Sequence, residues 1–159
     1  HHQTFGIQVD NGSGEIVYRD NVIYNVPDAC YKQFGKKHLV KNNVFAFCDN
    51  YQILRRRDEG SLTFTHNIVY FENGKLFGDS WGKQNYTVDH NCYWNTGDGP
   101  IDFAGLTWQQ WRSKAHDTHS IIANPLFRDP KNGDFRLKPN SPALKLGFEP
   151  IDLSTVGPR

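Results

Sequence analysis

Four stretches of the chain carry one pattern of apolar and polar positions: Val17-Tyr18-Arg19-Asp20-Asn21-Val22-Ile23-Tyr24, Leu39-Val40-Lys41-Asn42-Asn43-Val44-Phe45, Thr63-Phe64-Thr65-His66-Asn67-Ile68-Val69-Tyr70 and Thr87-Val88-Asp89-His90-Asn91-Cys92-Tyr93-Trp94. The asparagines at 21, 43, 67 and 91 recur at intervals of 22, 24 and 24 residues. An apolar residue (Tyr18, Val40, Phe64 or Val88) stands three positions before each, and Val22, Val44, Ile68 or Cys92 follows it. β-Branched and aromatic residues in short alternating runs form strands, and a period near 23 predicts a solenoid with one strand per coil face. Leucine-rich repeats share that period, but their leucine pattern is absent. Stacked coils lie about 4.8 Å apart, so the asparagines are expected to point inward as a hydrogen-bonded ladder. Cys92 falls in the row of Val22, Val44 and Ile68, as a small core hydrophobe and not a nucleophile.

The pattern ends near Asn95, where Asn95-Thr96-Gly97-Asp98-Gly99-Pro100 is turn chemistry. Thr107-Trp108-Gln109-Gln110 fits a capping box and predicts a short helix from Trp108 to about Ala115. Pro and Gly then punctuate the chain to Gly157-Pro158, an irregular cap expected to cover the open last coil. The expectation is an all-β, right-handed parallel β-helix of about four coils. Residues 1–95 form coils; residues 96–159 form a C-terminal coil and a cap with one short helix, in the same domain.

Composition narrows the partners. Lys and Arg number 18 against 17 Asp and Glu, a formal charge of +1, which argues against nucleic acid. No apolar run nears the roughly 20 residues of a membrane helix. Aromatic residues make up 14%, suited to core packing and also to sugar stacking. Cys30, Cys48 and Cys92 leave at least one thiol over, so no disulfide framework is expected, and no CxxC or HExxH spacing suggests a metal site. No cofactor is expected. The chain has no methionine and no signal peptide before His1, so its natural start is expected upstream. Self-association through an uncapped first coil is a further expectation.

A second register carries candidate chemistry. Gln8, Tyr31, Arg55 and Asp79 recur near the same period, as do Asp10, Gln33, Arg57 and Trp81, and Gly12, Gly35, Glu59 and Lys83; Ile7, Cys30, Leu54 and Gly78 would face inward beside them. Residues two apart on a strand share a face. These rows therefore predict one surface groove of carboxylates, guanidiniums and aromatic rings, with Lys75 and Asp79 near its rim. Carboxylates supply acid–base chemistry, Arg supplies paired donors, and rings stack on sugars.

The segments Gly6-Ile7-Gln8-Val9-Asp10-Asn11-Gly12-Ser13, Asn42-Asn43-Val44-Phe45-Ala46-Phe47 and Ser120-Ile121-Ile122-Ala123-Asn124-Pro125-Leu126-Phe127 resemble secreted bacterial β-helix proteins, as do Gly133-Asp134-Phe135-Arg136-Leu137 and Ser141-Pro142-Ala143-Leu144. Across the chain the resemblance is to the pectate-lyase-like superfamily, near the C-terminal half of glycoside hydrolase family 141-type proteins. It implies a secreted or periplasmic bacterial glycoside hydrolase acting on plant or algal polysaccharide. Asp10 and Glu59 would be the acid–base pair, tuned by Arg55 and Arg57. Tyr31, Gln33, Lys75, Asp79 and Trp81 would bind substrate. A polysaccharide lyase using Arg55, Arg57 and Lys75, and a non-catalytic glycan-binding or structural β-helix, are the alternatives.

Overall fold

Each coil of the chain lays down three short strands. The computed structural model describes residues 4–10, 12–56, 60–82 and 85–154. The first coil supplies β1 (Phe5–Gln8), β2 (Val17–Arg19) and β3 (Val22–Tyr24); the second, β4 (Ala29–Gln33), β5 (His38–Lys41) and β6 (Val44–Ala46). The third supplies β7 (Tyr51–Arg55), β8 (Leu62–Thr65) and β9 (Ile68–Phe71), and the fourth β10 (Lys75–Asp79), β11 (Tyr86–Asp89) and β12 (Cys92–Asn95). Equivalent strands pair in parallel as three sheets, β1-β4-β7-β10, β2-β5-β8-β11 and β3-β6-β9-β12. The chain is thus an all-β parallel solenoid of about four turns. After the helix α1 (Trp108–Ser113), β13 (Ile121–Ile122) adds a fifth strand to the third sheet.

The registers Tyr18–Val40–Phe64–Val88 and Val22–Val44–Ile68–Cys92 are those of the sequence pattern. Between the second and third strands, Asp20, Asn42, His66 and His90 adopt left-handed φ of 60°, 56°, 54° and 58°, so one strained residue turns the chain at this corner of every coil. The next residue is the ladder asparagine. Asn43, Asn67 and Asn91 are buried. The Nδ2 of Asn21 donates to Asn43 Oδ1 at 2.9 Å, that of Asn43 to Asn67 Oδ1 at 3.0 Å, and that of Asn67 to Asn91 Oδ1 at 3.3 Å. The backbone N–H of each also donates to the next carboxamide oxygen, at 3.1, 3.0 and 2.9 Å.

No fifth asparagine follows. Asn91 N–H donates to Ser120 Oγ at 2.8 Å, and Asn91 Nδ2 to Asp117 Oδ1 at 3.3 Å. The fully buried Asp117 carboxylate also accepts from Tyr93 Oη at 3.1 Å, Trp111 Nε1 at 2.7 Å and Ser120 Oγ. Burial raises its pKa, and these four donors pull against that rise.

Two outcomes differ from the sequence expectation. Cys30 and Cys48 form a disulfide with a Cα–Cα distance of 5.8 Å. A coil returns the chain almost to its starting point, so cysteines 18 residues apart come together. A loop of that length contributes about 3 kcal/mol in the chain-entropy account. Cys92 stays a free, buried thiol that burial pushes up to about 12, in keeping with a packing role.

The cap is also divided. Residues from Ile101 to Trp111 cover the last coil: Phe103 and Trp111 join the inner core with Phe77 and Tyr93. The capping box at α1 is present, with Gln110 N–H to Thr107 Oγ1 at 3.2 Å and Thr107 N–H to Gln110 Oε1 at 2.9 Å. Asp117, Ser120 and β13 continue this cover, but the chain beyond Ala123 leaves the coil end. β14 (Phe127–Asp129), the antiparallel β15 (Asp134–Leu137) and α2 (Pro142–Lys145) run back along the third sheet. There Phe127, Phe135, Ala143 and Phe148 pack on Val44, Ala46, Ile68, Tyr70 and Cys92. Glu149 N–H donates to Asn42 Oδ1 at 2.7 Å and fastens this strap to the second coil.

Candidate functional site

The groove expected from the second register does not form as one open face. Asp10, Lys75 and Asp79 are exposed, but Tyr31, Gln33, Arg55 and Trp81 are buried. Arg57 and Glu59 lie outside the described residues. Tyr31 pairs with Ile7 and Ile53 in one row, and Ile53 with Phe77; Arg55 pairs with Gln33 and Asp79. The sequence rows hold for Arg55–Asp79 and Leu54–Gly78 but not at Tyr31, which pairs with Ile7 in place of Gln8 and with Ile53 in place of Arg55. The one-residue slip puts Gln8 on the opposite face, while the two-residue slip leaves Tyr31 and Arg55 on the same inward face.

The buried residues have structural partners. Tyr31 Oη lies 3.3 Å from His38 Nδ1 in the core. Gln33 Nε2 lies 3.4 Å from the carbonyl oxygens of Gly35 and Ser61. Arg55 donates to Ser80 O at 2.6 Å, Gly60 O at 2.8 Å and Asn85 Oδ1, with its guanidinium over the Tyr86 ring at 5.2 Å. It is wholly buried and knits the third coil to the fourth, so it cannot touch a substrate. Trp81 donates Nε1–H to Gly78 O at 3.0 Å and packs on Phe77 at 4.1 Å. Lys75 and Asp79 occupy opposite ends of β10, about 13 Å apart by strand rise.

Concave surface instead gathers where the fourth coil meets the first part of the cap. Phe103 and Leu106 pair as a tight hairpin, and Leu106 lines a cleft on each side of it. The larger cleft, about 500 Å³, runs between Trp94 and Asn95 at the end of β12, the turn Gly99–Asp102, and Trp108 and Gln110 of α1. Its walls are chiefly apolar, with Thr107, whose hydroxyl caps α1, and three carboxamide or carboxylate side chains. Asn95 Oδ1 accepts Gly97 N–H at 2.9 Å, Asp102 Oδ1 accepts Gly105 N–H at 2.7 Å, and Gln110 Oε1 accepts Thr107 N–H. These bonds fix each side chain by one atom. Among the described residues the other terminal atom of each has no hydrogen bond, leaving two amide donors and one carboxylate oxygen for a ligand.

The smaller cleft, about 290 Å³, holds Asp79, Trp81, Tyr86, Lys114 and His116. Asp79 pairs with Arg56 Nε at 3.1 Å, and Tyr86 Oη lies 3.5 Å from His116 Nε2 while donating to Trp81 O at 3.0 Å. Burial, then the Lys114 charge, lowers the His116 pKa, so its imidazole is neutral near pH 7. Asp79 and Trp81, both expected from the sequence as substrate contacts, thus line one cleft. Trp94 ends the fourth repeat segment, but Asp102 and Trp108 had no periodic signal, because the cap brings them to Trp94 only once.

No solved structure matches this chain. A Bacillus subtilis (strain 168) protein described as uncharacterized protein YwoF is 32% identical over 106 residues; the match covers 58% of this chain and 21% of that relative. The chain therefore spans about a fifth of the length of that relative. A family model described as a domain of unknown function, DUF5123, matches residues 18–148, which take in all but the first strand of the solenoid, the clefts and the strap. The chain belongs to the DUF5123 family.

Proposed function

We propose that this chain is a glycan-binding parallel β-helix, part of a secreted polysaccharide-processing protein of the glycoside hydrolase kind, and that it holds sugar in the Trp94–Trp108 cleft. The observation that carries the reading is the lining of that cleft: two half-buried indoles with one carboxylate and two carboxamides fixed beside them. A pyranose offers apolar C–H faces for rings and hydroxyls for donors and acceptors, and this lining supplies both. The Cys30–Cys48 bridge supports an oxidising, extracytoplasmic setting. The likeness of several segments to pectate-lyase-like carbohydrate-active proteins, of the family 141 kind, supports a glycan as the partner.

Binding is favoured over bond cleavage by these clefts. Two-carboxylate hydrolysis needs a pair about 5–5.5 or 6.5–9.5 Å apart. Each cleft has one carboxylate among the described residues, Asp102 in one and Asp79 in the other. Affinity electrophoresis in gels containing soluble plant and algal polysaccharides tests the reading. Retardation by at least one polysaccharide is expected, lost in Trp108→Ala, weakened in Asp102→Asn and kept in Asp79→Asn. Release of reducing ends would replace binding with hydrolysis, and the ultraviolet absorbance of an unsaturated uronate would indicate a lyase. Unretarded migration in every gel overturns the proposal.

A further inference from the structure

A column of imidazoles stands on the solenoid edge, away from both clefts. His66 and His90 are the left-handed residues that follow β8 and β11, and His119 lies between α1 and β13. Their rings stack nearly parallel, with centroids 4.9 Å apart from His66 to His90 and 4.8 Å from His90 to His119. Asp89, the last residue of β11, turns its carboxylate toward the upper two rings. Its Oδ1 accepts the backbone N–H of His90 at 2.9 Å and of His119 at 2.7 Å. With that oxygen held by two amides, Oδ2 is fixed 2.7 Å from His119 Nδ1 and 3.4 Å from His90 Nδ1.

One ligand atom from each of Asp89, His90 and His119 therefore falls within 4.8 Å of the other two. Around a tetrahedral zinc, bonds of about 2.0–2.1 Å separate ligand atoms by roughly 3.3 Å. The carboxylate–imidazole distances already bracket that value. An imidazole holds a metal in its ring plane, so loading the site requires the exposed His119 ring to swing out of its stack on His90 until both nitrogens face the ion. The side chains of Asp89, His90 and His119 are 22%, 39% and 66% exposed, so an ion can enter and keep a water as fourth ligand. Two imidazoles and one carboxylate suit a borderline ion such as zinc, whereas calcium and magnesium want oxygen ligands throughout.

We propose that Asp89, His90 and His119 bind one zinc-type divalent cation. The site joins the fourth coil to the segment that carries Asp117 and Ser120, so the bound ion clamps the cap onto the end of the asparagine ladder.

Zinc chloride titrated calorimetrically into the full chain, with His1 and His2 replaced by glutamine, tests this directly. One equivalent is expected to bind with micromolar affinity, and calcium not at all. His119→Ala and Asp89→Asn should each weaken binding at least about tenfold. His119 is largely exposed, so its replacement leaves the fold intact by circular dichroism. Cobalt should give a four-coordinate visible spectrum in the parent that disappears in His119→Ala, and zinc should raise the melting temperature of the parent alone. Sub-stoichiometric zinc, or affinity unchanged in both variants, overturns the proposal.

Discussion

Truncating Asn67 to alanine removes the middle rung of the ladder, and the bonds around it set the cost. Its carboxamide accepts Asn43 N–H at 3.0 Å and Asn43 Nδ2 at 3.0 Å, and donates to Val40 O at 2.9 Å and Asn91 Oδ1 at 3.3 Å. Several partners have substitutes. Asn43 Nδ2 keeps Tyr18 O and Lys41 O, and Asn91 Oδ1 keeps Asn67 N–H. The backbone N–H of Asn43 loses its acceptor at a fully buried position. A stranded buried donor costs about 1–3 kcal/mol, and that is the expected loss. Asn21→Ala provides the contrast. Asn21 donates to Arg19 O and Asn43 Oδ1, and the second of these retains Asn21 N–H, so no buried donor is stranded. Its cost should stay below about 1 kcal/mol. Urea unfolding followed by circular dichroism, with equal m-values confirming a common unfolded state, measures both. Equal losses in the two variants would refute the claim that each rung acts by capping the coil before it.

Asp117→Asn should destabilise by about 2–3 kcal/mol, since an amide offers one acceptor oxygen where the carboxylate offers two to four converging donors; a lower urea midpoint with red-shifted tryptophan emission is the expected readout. His38 gives a pH dependence. Burial lowers its pKa beneath 6.5, and its Nε2–H faces Ser13 O at 3.4 Å while Nδ1 faces the Tyr31 hydroxyl. The unfolded chain takes up that proton more readily, so the contribution is complete above 6.5 and is lost as pH falls through the folded value. Urea midpoints a pH unit above and below 6.5 should differ less in His38→Gln than in the parent.

What the sequence made legible was what recurs. The asparagines and the rows of Val40 and Val44 repeat because every coil meets the same neighbours, and the Thr107–Gln110 capping box is complete within four residues. The second register misled because coils differ by up to two residues in length, so rows drawn at a fixed period set Tyr31 against Arg55 where the strands pair it with Ile53. Polar identity misled as well: Arg55 and Gln33 read as surface chemistry, yet they face inward to satisfy the carbonyls of bends between strands. The strap along the third sheet, the Asp117 hub and the Trp94–Trp108 cleft each occur once, from residues far apart in the chain, and no periodicity announces them.

The change of residue type at the end of the ladder has a consequence for assembly. A carboxamide both donates and accepts, so each asparagine reproduces at its far side the surface that bound it. Such a rule has no natural stopping point, and identical solenoids meeting end to end could extend it as an open filament. Asp117 takes in Asn91 Nδ2–H but has no N–H of its own to offer. Ser120 spends its single O–H on that same carboxylate. One acceptor-only side chain thus makes the stack finite at this end, a molecular full stop written in proton inventory.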